Sequence, residues 1–150
     1  MKRLFTTMVA LVALLMAAPG VQAADWYNVI SAGGETIAVN PEITTVDNGA
    51  TYLVWVRNSF DTPEARAEYS RERKYKKPVA YKLTLYKFMD NWKKFNIVQV
   101  SVFGEDGIPI EQYSNSEAES GEGYLITPDT DIEIVAQNAK VIYEITTNPE

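Results

Sequence analysis

The sequence of 150 residues contains no cysteine and no histidine. Without cysteine the fold cannot be cross-linked by disulfide bonds, so its stability must come from packing alone. The two absences together remove the common ligands of zinc, copper and haem, and histidine is also the usual general base near neutral pH. No nucleophile motif of the G-x-S-x-G type is present either. We therefore expect no metal site, no cofactor, no catalytic residues and no enzymatic activity.

Long apolar runs are also missing, except for one at the N-terminus. There, Lys2 and Arg3 precede an uncharged stretch over residues 4–18, and a Pro-Gly pair and the small-residue pattern Val-Gln-Ala at 21–23 follow it. The stretch is shorter than the roughly 20 residues that a transmembrane helix needs. A cationic end, a short apolar run and small residues before the cleavage point are typical of a secretory signal.

This pattern predicts a signal peptide over residues 1–23, cleaved before Ala24, and a single mature domain over residues 24–150. The alternative is a retained membrane anchor, which the shortness of the run disfavours. We expect a protein exported to the periplasm, to the cell surface or to the medium, with no membrane span once the signal is removed.

Charge is distributed unevenly along the mature chain, which carries a net charge of −8. Residues 71–94 have a net charge of +7, whereas residues 95–150 have a net charge of −10. An acidic chain is a poor partner for nucleic acid, so we expect none. The basic segment could still present a local positive field.

Alternating apolar residues predict several short strands joined by tight turns. Glycine turns at 33–34, 48–49 and 104–107 are typical of hairpins, and such turns make neighbouring strands antiparallel. The strand over residues 51–57 is partly apolar on both faces, so we expect it near the centre of the sheet. Pro109 cannot donate a ladder hydrogen bond, so its strand is expected at an edge or at a bulge.

The longest alternating strand runs over residues 79–89. Its pattern predicts that Val79, Tyr81 and Leu83 face one way, while Lys82 and Thr84 lie on the opposite, wetter face. Before it, the sequence Thr62-Pro63-Glu64 is typical of a helix start, but the apolar spacing that follows is poor. A short surface helix or an ordered loop are both compatible with residues 63–74.

A helix with a clear start closes the chain. Thr130 and Glu133 have the spacing of a capping box, and apolar residues from Ile132 to Tyr143 recur at helical intervals. Between strands and helix, residues 114–123 form a low-complexity stretch that predicts a surface loop. The predicted fold class is α+β, an antiparallel sheet of about five to seven strands with the C-terminal helix packed on one face.

With these elements placed, the chain resembles the bacterial surface-adhesin protein E family of small exported domains. The residues that carry the resemblance are Trp26, Ile-Ala-Val-Asn at 37–40, Tyr-Leu-Val-Trp-Val-Arg at 52–57, Trp-Lys-Lys-Phe-Asn-Ile at 92–97 and Ile-Thr-Pro-Asp-Thr at 126–130. The resemblance implies a sheet with a helix across one face, and an adhesin-like role at the cell surface. Members of that family commonly carry a cysteine pair that ties the C-terminal segment to the sheet, and here both cysteines are missing.

The candidate binding residues come from the basic segment and from one tryptophan. Basic residues flank a tyrosine at Arg71, Arg73, Lys74, Tyr75, Lys76 and Lys77, and Trp92 lies beside a turn and two lysines. Such a segment could dock an anionic partner, for example a host-matrix component, an anionic envelope polymer or a carboxylate patch on a protein. The competing interpretation is a solvated connection whose charges keep a β-rich protein soluble. Of the three tryptophans, Trp92 is the one that we expect to be most exposed.

Two hypotheses of function follow. The first is a non-enzymatic interaction module of the cell envelope, which the missing catalytic residue types favour. The second is a periplasmic small-molecule binder or an enzyme with a pocket between helix and sheet.

Overall fold

The computed structural model of the protein describes residues 26–115 and 121–148. The predicted signal peptide at 1–23 and the centre of the predicted loop at 114–123 lie outside these ranges. The elements are β1 (Tyr27–Ala32), β2 (Glu35–Val39), β3 (Thr44–Val46), β4 (Thr51–Phe60), α1 (Pro63–Arg73), β5 (Val79–Met89), β6 (Lys94–Gly104), β7 (Pro109–Ser114), β8 (Tyr124–Leu125) and α2 (Asp131–Thr147).

All eight strands belong to one antiparallel sheet in the order β1-β2-β4-β5-β6-β7, with β3 paired to β4 and β8 paired to β6. The α+β class and the cysteine-free antiparallel sheet predicted from the sequence are confirmed. The main order has six strands, as predicted, and the described residues add β3 and β8, which have 3 and 2 residues and are too short to show alternation. As predicted, β4 is central and β7, which begins at Pro109, lies at an edge.

Both helices pack on the same face of the sheet, which we call the helix face. Val56 lies opposite Thr84, and Thr84 lies opposite Val100, so the three side chains share a face. Val56 belongs to the core beneath α2, whereas Val100 packs with Ala65 and Tyr69 of α1. The two helices therefore cover different ends of one surface and leave the residues between them less covered.

Tyr81 and Leu83 share the face opposite Lys82 and Thr84, as predicted, but the prediction that the Lys82 face is the wetter one is wrong. Thr84 is only 2% exposed and lies, with Lys82, on the helix face rather than on a wetter one. A bulge between Val79 and Tyr81 shifts the register, so Val79 joins the core beneath α1. Val102 of β6 lies directly opposite Lys82, and Val56 and Val100 lie on either side of Thr84. The neighbouring strands therefore decided which face the helices cover.

The segment after β4 is helical, which settles one question that the sequence left open. The side chain of Thr62 caps α1 by accepting a hydrogen bond of 3.1 Å from the Ala65 amide, and Pro63 occupies the first turn. The helix start packs against the β1–β2 turn, where a Cβ on Gly34 would lie 2.8 Å from the Thr62 hydroxyl. Gly34 also has a φ of 78°, so glycine is required there on both grounds.

The predicted position of the start of α2 is confirmed, but the predicted capping box is not formed. The Thr130 hydroxyl makes no cap hydrogen bond and instead donates to the Thr127 carbonyl at 2.6 Å. The Glu133 carboxylate reaches back to the Asp129 amide at 2.8 Å, one residue before the expected donor. Asp129 is left-handed, with a φ of 61°, and its amide is therefore the one that donates to Glu133, in place of the Thr130 amide of a capping box.

The main core lies between α2 and strands β2 and β4. Val135, Ala136, Ala139 and Ile142 of α2 are all buried, which confirms the predicted apolar stripe. Tyr52 stacks on Trp92 at 4.3 Å between ring centroids and meets Tyr143 of α2 edge-on at 4.9 Å. Packing of this kind holds the helix on the sheet without a covalent tie.

Substitution of Val135 tests this packing. Val135 is 3% exposed, so Val135→Ala should lower the free energy of unfolding by about 1–3 kcal/mol through lost contacts and a cavity. The matched control is Val141→Ala on the outer side of the same helix, where Val141 is 51% exposed and the cost should stay within about 0.5 kcal/mol. Equal urea midpoints for the two variants would contradict the packing.

Candidate anion-binding site

The basic segment, residues 71–77, covers the last turn of α1 and the connection to β5. Its five cationic side chains are all exposed, whereas Tyr75 between them is half-buried. The candidate cations from this segment are therefore all accessible to solvent within seven successive residues. They also lie at the carbonyl end of α1, where positive charge is favourable.

Ser70 holds the basic segment at both ends. Its carbonyl accepts a hydrogen bond of 2.9 Å from the Tyr75 amide, and its hydroxyl accepts another of 2.9 Å from the buried Val79 amide. Lys74, which directly precedes Tyr75, takes a left-handed conformation with a φ of 60° and ends the helix. The connection is thus an ordered loop with defined hydrogen bonds.

The segment has an excess of positive charge, because its five cations are opposed by Glu72 within it and by Glu111, which accepts a hydrogen bond from Tyr75. Lys77 lies 3.8 Å from the Asp106 carboxylate, and both side chains are well exposed. Among the residues that the structure describes, none forms an ion pair with Arg71, Arg73, Lys74 or Lys76. A solvent-exposed ion pair such as Lys77–Asp106 is weak and neutralises little of the local charge. The segment therefore keeps a positive field.

The inner border of the segment is formed by aromatic rings. Tyr69 stacks on Phe60 at 4.4 Å, and the Arg73 guanidinium and the Lys82 ammonium each lie 5.7 Å from its ring centroid. The Tyr75 hydroxyl donates a short hydrogen bond to the Glu111 carboxylate on β7. These contacts join the basic segment to the helix face of the sheet.

Lys82 is the site residue that the sequence did not reveal. Burial lowers the pKa of its ammonium, the Glu35 carboxylate raises it, and Arg73 lowers it further. Glu35 is itself engaged by the Asn58 amide at 2.7 Å, and within the described ranges no carboxylate lies within ion-pair distance of Lys82. A half-buried cation without a counter-ion favours the binding of an anion.

Two partly buried tyrosines stay neutral at physiological pH, namely Tyr69 beside Lys82 and Tyr86 four residues farther along β5. Burial raises the pKa of Tyr86 to about 12, with Tyr113 and Asp131 acting in the same direction. Burial also raises the pKa of Tyr69, against a smaller opposite effect of Arg73. Neutral phenols can donate and accept hydrogen bonds, so the surface can bind polar anionic groups.

The expectation for Trp92 is wrong with respect to exposure. Its side chain is only 8% exposed, whereas Trp26 and Trp55 are both half-buried. Trp92 follows the far end of β5, and a strand of 11 residues separates it from the basic segment by on the order of 30 Å. The structure therefore does not bring Trp92 together with the other candidate residues.

In the part of the chain that the structure describes, no three His, Cys, Asp or Glu side chains cluster closely enough to hold a metal ion. Neither described helix is long and apolar enough to cross a membrane. No family model, curated protein or solved structure matches this chain, so its function must be argued from the site.

Removal of the Ser70 hydroxyl should loosen the basic segment. Ser70→Ala leaves the buried Val79 amide without its acceptor, so we expect a loss of about 1–3 kcal/mol in the free energy of unfolding. Hydrogen exchange of the amides at 74–79 should become faster. The control is Ser114→Ala at an exposed position, and unchanged exchange in Ser70→Ala would contradict the proposed clamp.

Alkaline pH should destabilise the fold through Tyr86. Its folded-state pKa of about 12 lies above the ordinary value of 10.0. The stabilisation is therefore complete below pH 10 and is lost as the pH rises through 12. Tyr86→Phe should make the urea midpoint fall less steeply over this interval, and parallel curves for the two proteins would contradict the assignment.

Proposed function

We propose that this protein is an exported, non-enzymatic interaction module of the bacterial cell envelope that binds an anionic macromolecule through its basic segment. The observation that carries the proposal is the cluster of exposed cations, with an excess of positive charge, at 71–77 on a loop held at both ends by Ser70. Lys82 and Tyr69 extend this surface onto the helix face, where a further anionic group can be received.

A polymer fits this surface better than a single small anion. Each exposed cation contributes only a weak contact in water, so useful affinity requires several contacts at once. The five cations of residues 71–77 are spread over the last helical turn and the following loop, within reach of successive anionic groups of one chain. The flanking tyrosines offer hydrogen bonds and ring faces, which suits a sulfated or carboxylated polymer.

The acidic remainder of the chain limits the choice of partner. Residues 95–150 carry a net charge of −10, and this field opposes a long, densely charged polyanion such as nucleic acid. A host-matrix component or an envelope polymer with more widely spaced anionic groups is the partner that we propose. Periplasmic or cell-surface location is part of the proposal and rests on the signal expected at 1–23 and on the adhesin-like resemblance.

Retention on an anionic matrix tests the proposal. The unmodified protein should be retained at low salt on an anionic cell-wall matrix or on a sparsely sulfated glycan matrix, and the combined substitution of Arg73, Lys74 and Lys77 by Ser should abolish this retention. Thermal stability should not fall, because all three side chains are exposed. Retention should weaken as salt is raised, since exposed charges are screened over about 8 Å at physiological ionic strength.

A charge-matched control distinguishes binding at the basic segment from a general effect of the protein's net charge. Substitution of Lys87 and Lys94 by Ser, combined with Thr45→Glu, makes the same change in net charge outside residues 71–77 and should leave retention intact. Two outcomes would contradict the proposal: an equal loss of retention in both triple variants, or no retention of the unmodified protein at low salt. Either would show that the basic segment is only a solvated connection.

Lys82 gives a second test. Lys82→Met keeps an apolar stem of similar length but removes a half-buried charge, so thermal stability should be unchanged or higher. Binding to the same matrix should nevertheless weaken by several-fold. Loss of stability together with full retention would show that Lys82 serves only the fold.

A further inference from the structure

A cleft of about 420 Å³ lies beside α2, at the opposite end of β5 from the basic segment. It is bordered by the β5–β6 turn, by the end of β8 and by α2, and its apolar lining includes Trp92, Leu125 and Ala136. This volume lies within the range of small-molecule sites. None of the residues that line it belongs to the proposed anion-binding surface.

The turn that forms one border of the cleft has an uncommon backbone. Asp90, Asn91 and Trp92 have φ values of 52°, 52° and 65°, so three successive residues other than glycine are left-handed. Asp and Asn tolerate this region, but a bulky tryptophan does so at a cost. Such strain concentrates at ligand-binding segments. Here it directs the Trp92 ring between the cleft and the core, where it stacks on Tyr52.

The charged side chains of the cleft have a positive balance. Lys93 and Lys140 both line it, opposed by a single carboxylate, Glu133. One oxygen of Glu133 already accepts the Asp129 amide at 2.8 Å, so this carboxylate is engaged in starting α2. No ion pair joins Lys93 or Lys140 to any of the described residues. The cleft lining thus offers four side chains that can donate hydrogen bonds to an anionic group. These are the ammonium groups of Lys93 and Lys140 and the amides of Asn91 and Gln137.

The lip of the cleft is apolar and exposed. Tyr124 and Leu125 are 70% and 71% exposed, although both are large apolar side chains. They form β8, which is paired to β6 through only two residue pairs, and the Ile126 amide adds one hydrogen bond of 2.9 Å to the Lys93 carbonyl. An apolar ligand body placed in the cleft would cover Leu125 and contact the Trp92 ring.

We propose that this cleft is a second binding site, for a small monocarboxylate with an apolar body, held with its carboxylate at Lys93 and Lys140 and its body against Trp92 and Leu125. The cation pair selects the carboxylate, and the apolar walls select against acetate and other small hydrophilic acids. The proposal is independent of polymer binding at residues 71–77, because the two surfaces lie at opposite ends of β5.

Titration calorimetry with three probes tests the site on the mature protein. The probe is 3-phenylpropionate, its uncharged match is 3-phenylpropionamide, and acetate represents the carboxylate without the apolar body. 3-Phenylpropionate should bind at least ten times more tightly than either of the other two. Lys140→Met and Leu125→Ser should each weaken its binding at least ten-fold, and neither should disturb folding because both residues lie at the surface of the cleft.

Lys87→Met on β5, which lies outside both the cleft and residues 71–77, is the matched control and should leave 3-phenylpropionate binding unchanged. Equal affinity for the acid and its amide would overturn the proposal, as would full affinity in Lys140→Met or the absence of binding at millimolar concentration. Unchanged circular dichroism of Lys140→Met and Leu125→Ser would confirm that their losses reflect the site and not the fold.

Discussion

The packing of α2 onto the sheet is the constraint on which the rest of this structure depends. In a chain without cysteine, side-chain packing around the buried stripe centred on Val135, Ala139 and Ile142 holds this helix over β2 and β4. Small residues such as Ala139, which is fully buried, let the helix approach the strands closely. The same packing positions the Trp92 ring beneath α2, and with it the wall of the cleft.

Because both helices lie on one face, the two surfaces that we propose as binding sites lie at their borders. The end of α1 carries the basic segment, and the space between α1 and α2 leaves Lys82 half-buried without a counter-ion from the described residues. On the other side of α2, the β5–β6 turn and β8 complete a cleft with two further lysines. Cations thus lie at both ends of β5 in an otherwise acidic domain. The length of this strand separates the two proposed sites.

Aromatic contacts stabilise the borders of both sites. Tyr69 stacks on Phe60 below the basic segment, and Tyr52 stacks on Trp92 below the cleft. Each pair couples a border residue to a core strand, so that the polar groups above it keep a defined position. Arg73 and Lys82 lie near the face of the same ring, which keeps two like charges close together at a surface suited to an anion.

Local patterns in the sequence determined the antiparallel sheet, the central position of β4, the edge position of Pro109 and the apolar stripe of α2, because turns and periodicity are properties of neighbouring residues. They also brought together the cations of residues 71–77, which are adjacent in the chain. Only the tertiary structure decided which face of β5 is covered, because the valines opposite Lys82 and Thr84 come from other strands and a bulge shifts Val79. For the same reason the burial of Trp92 and the cleft beside α2 were not visible in the sequence, since elements distant in the chain form them.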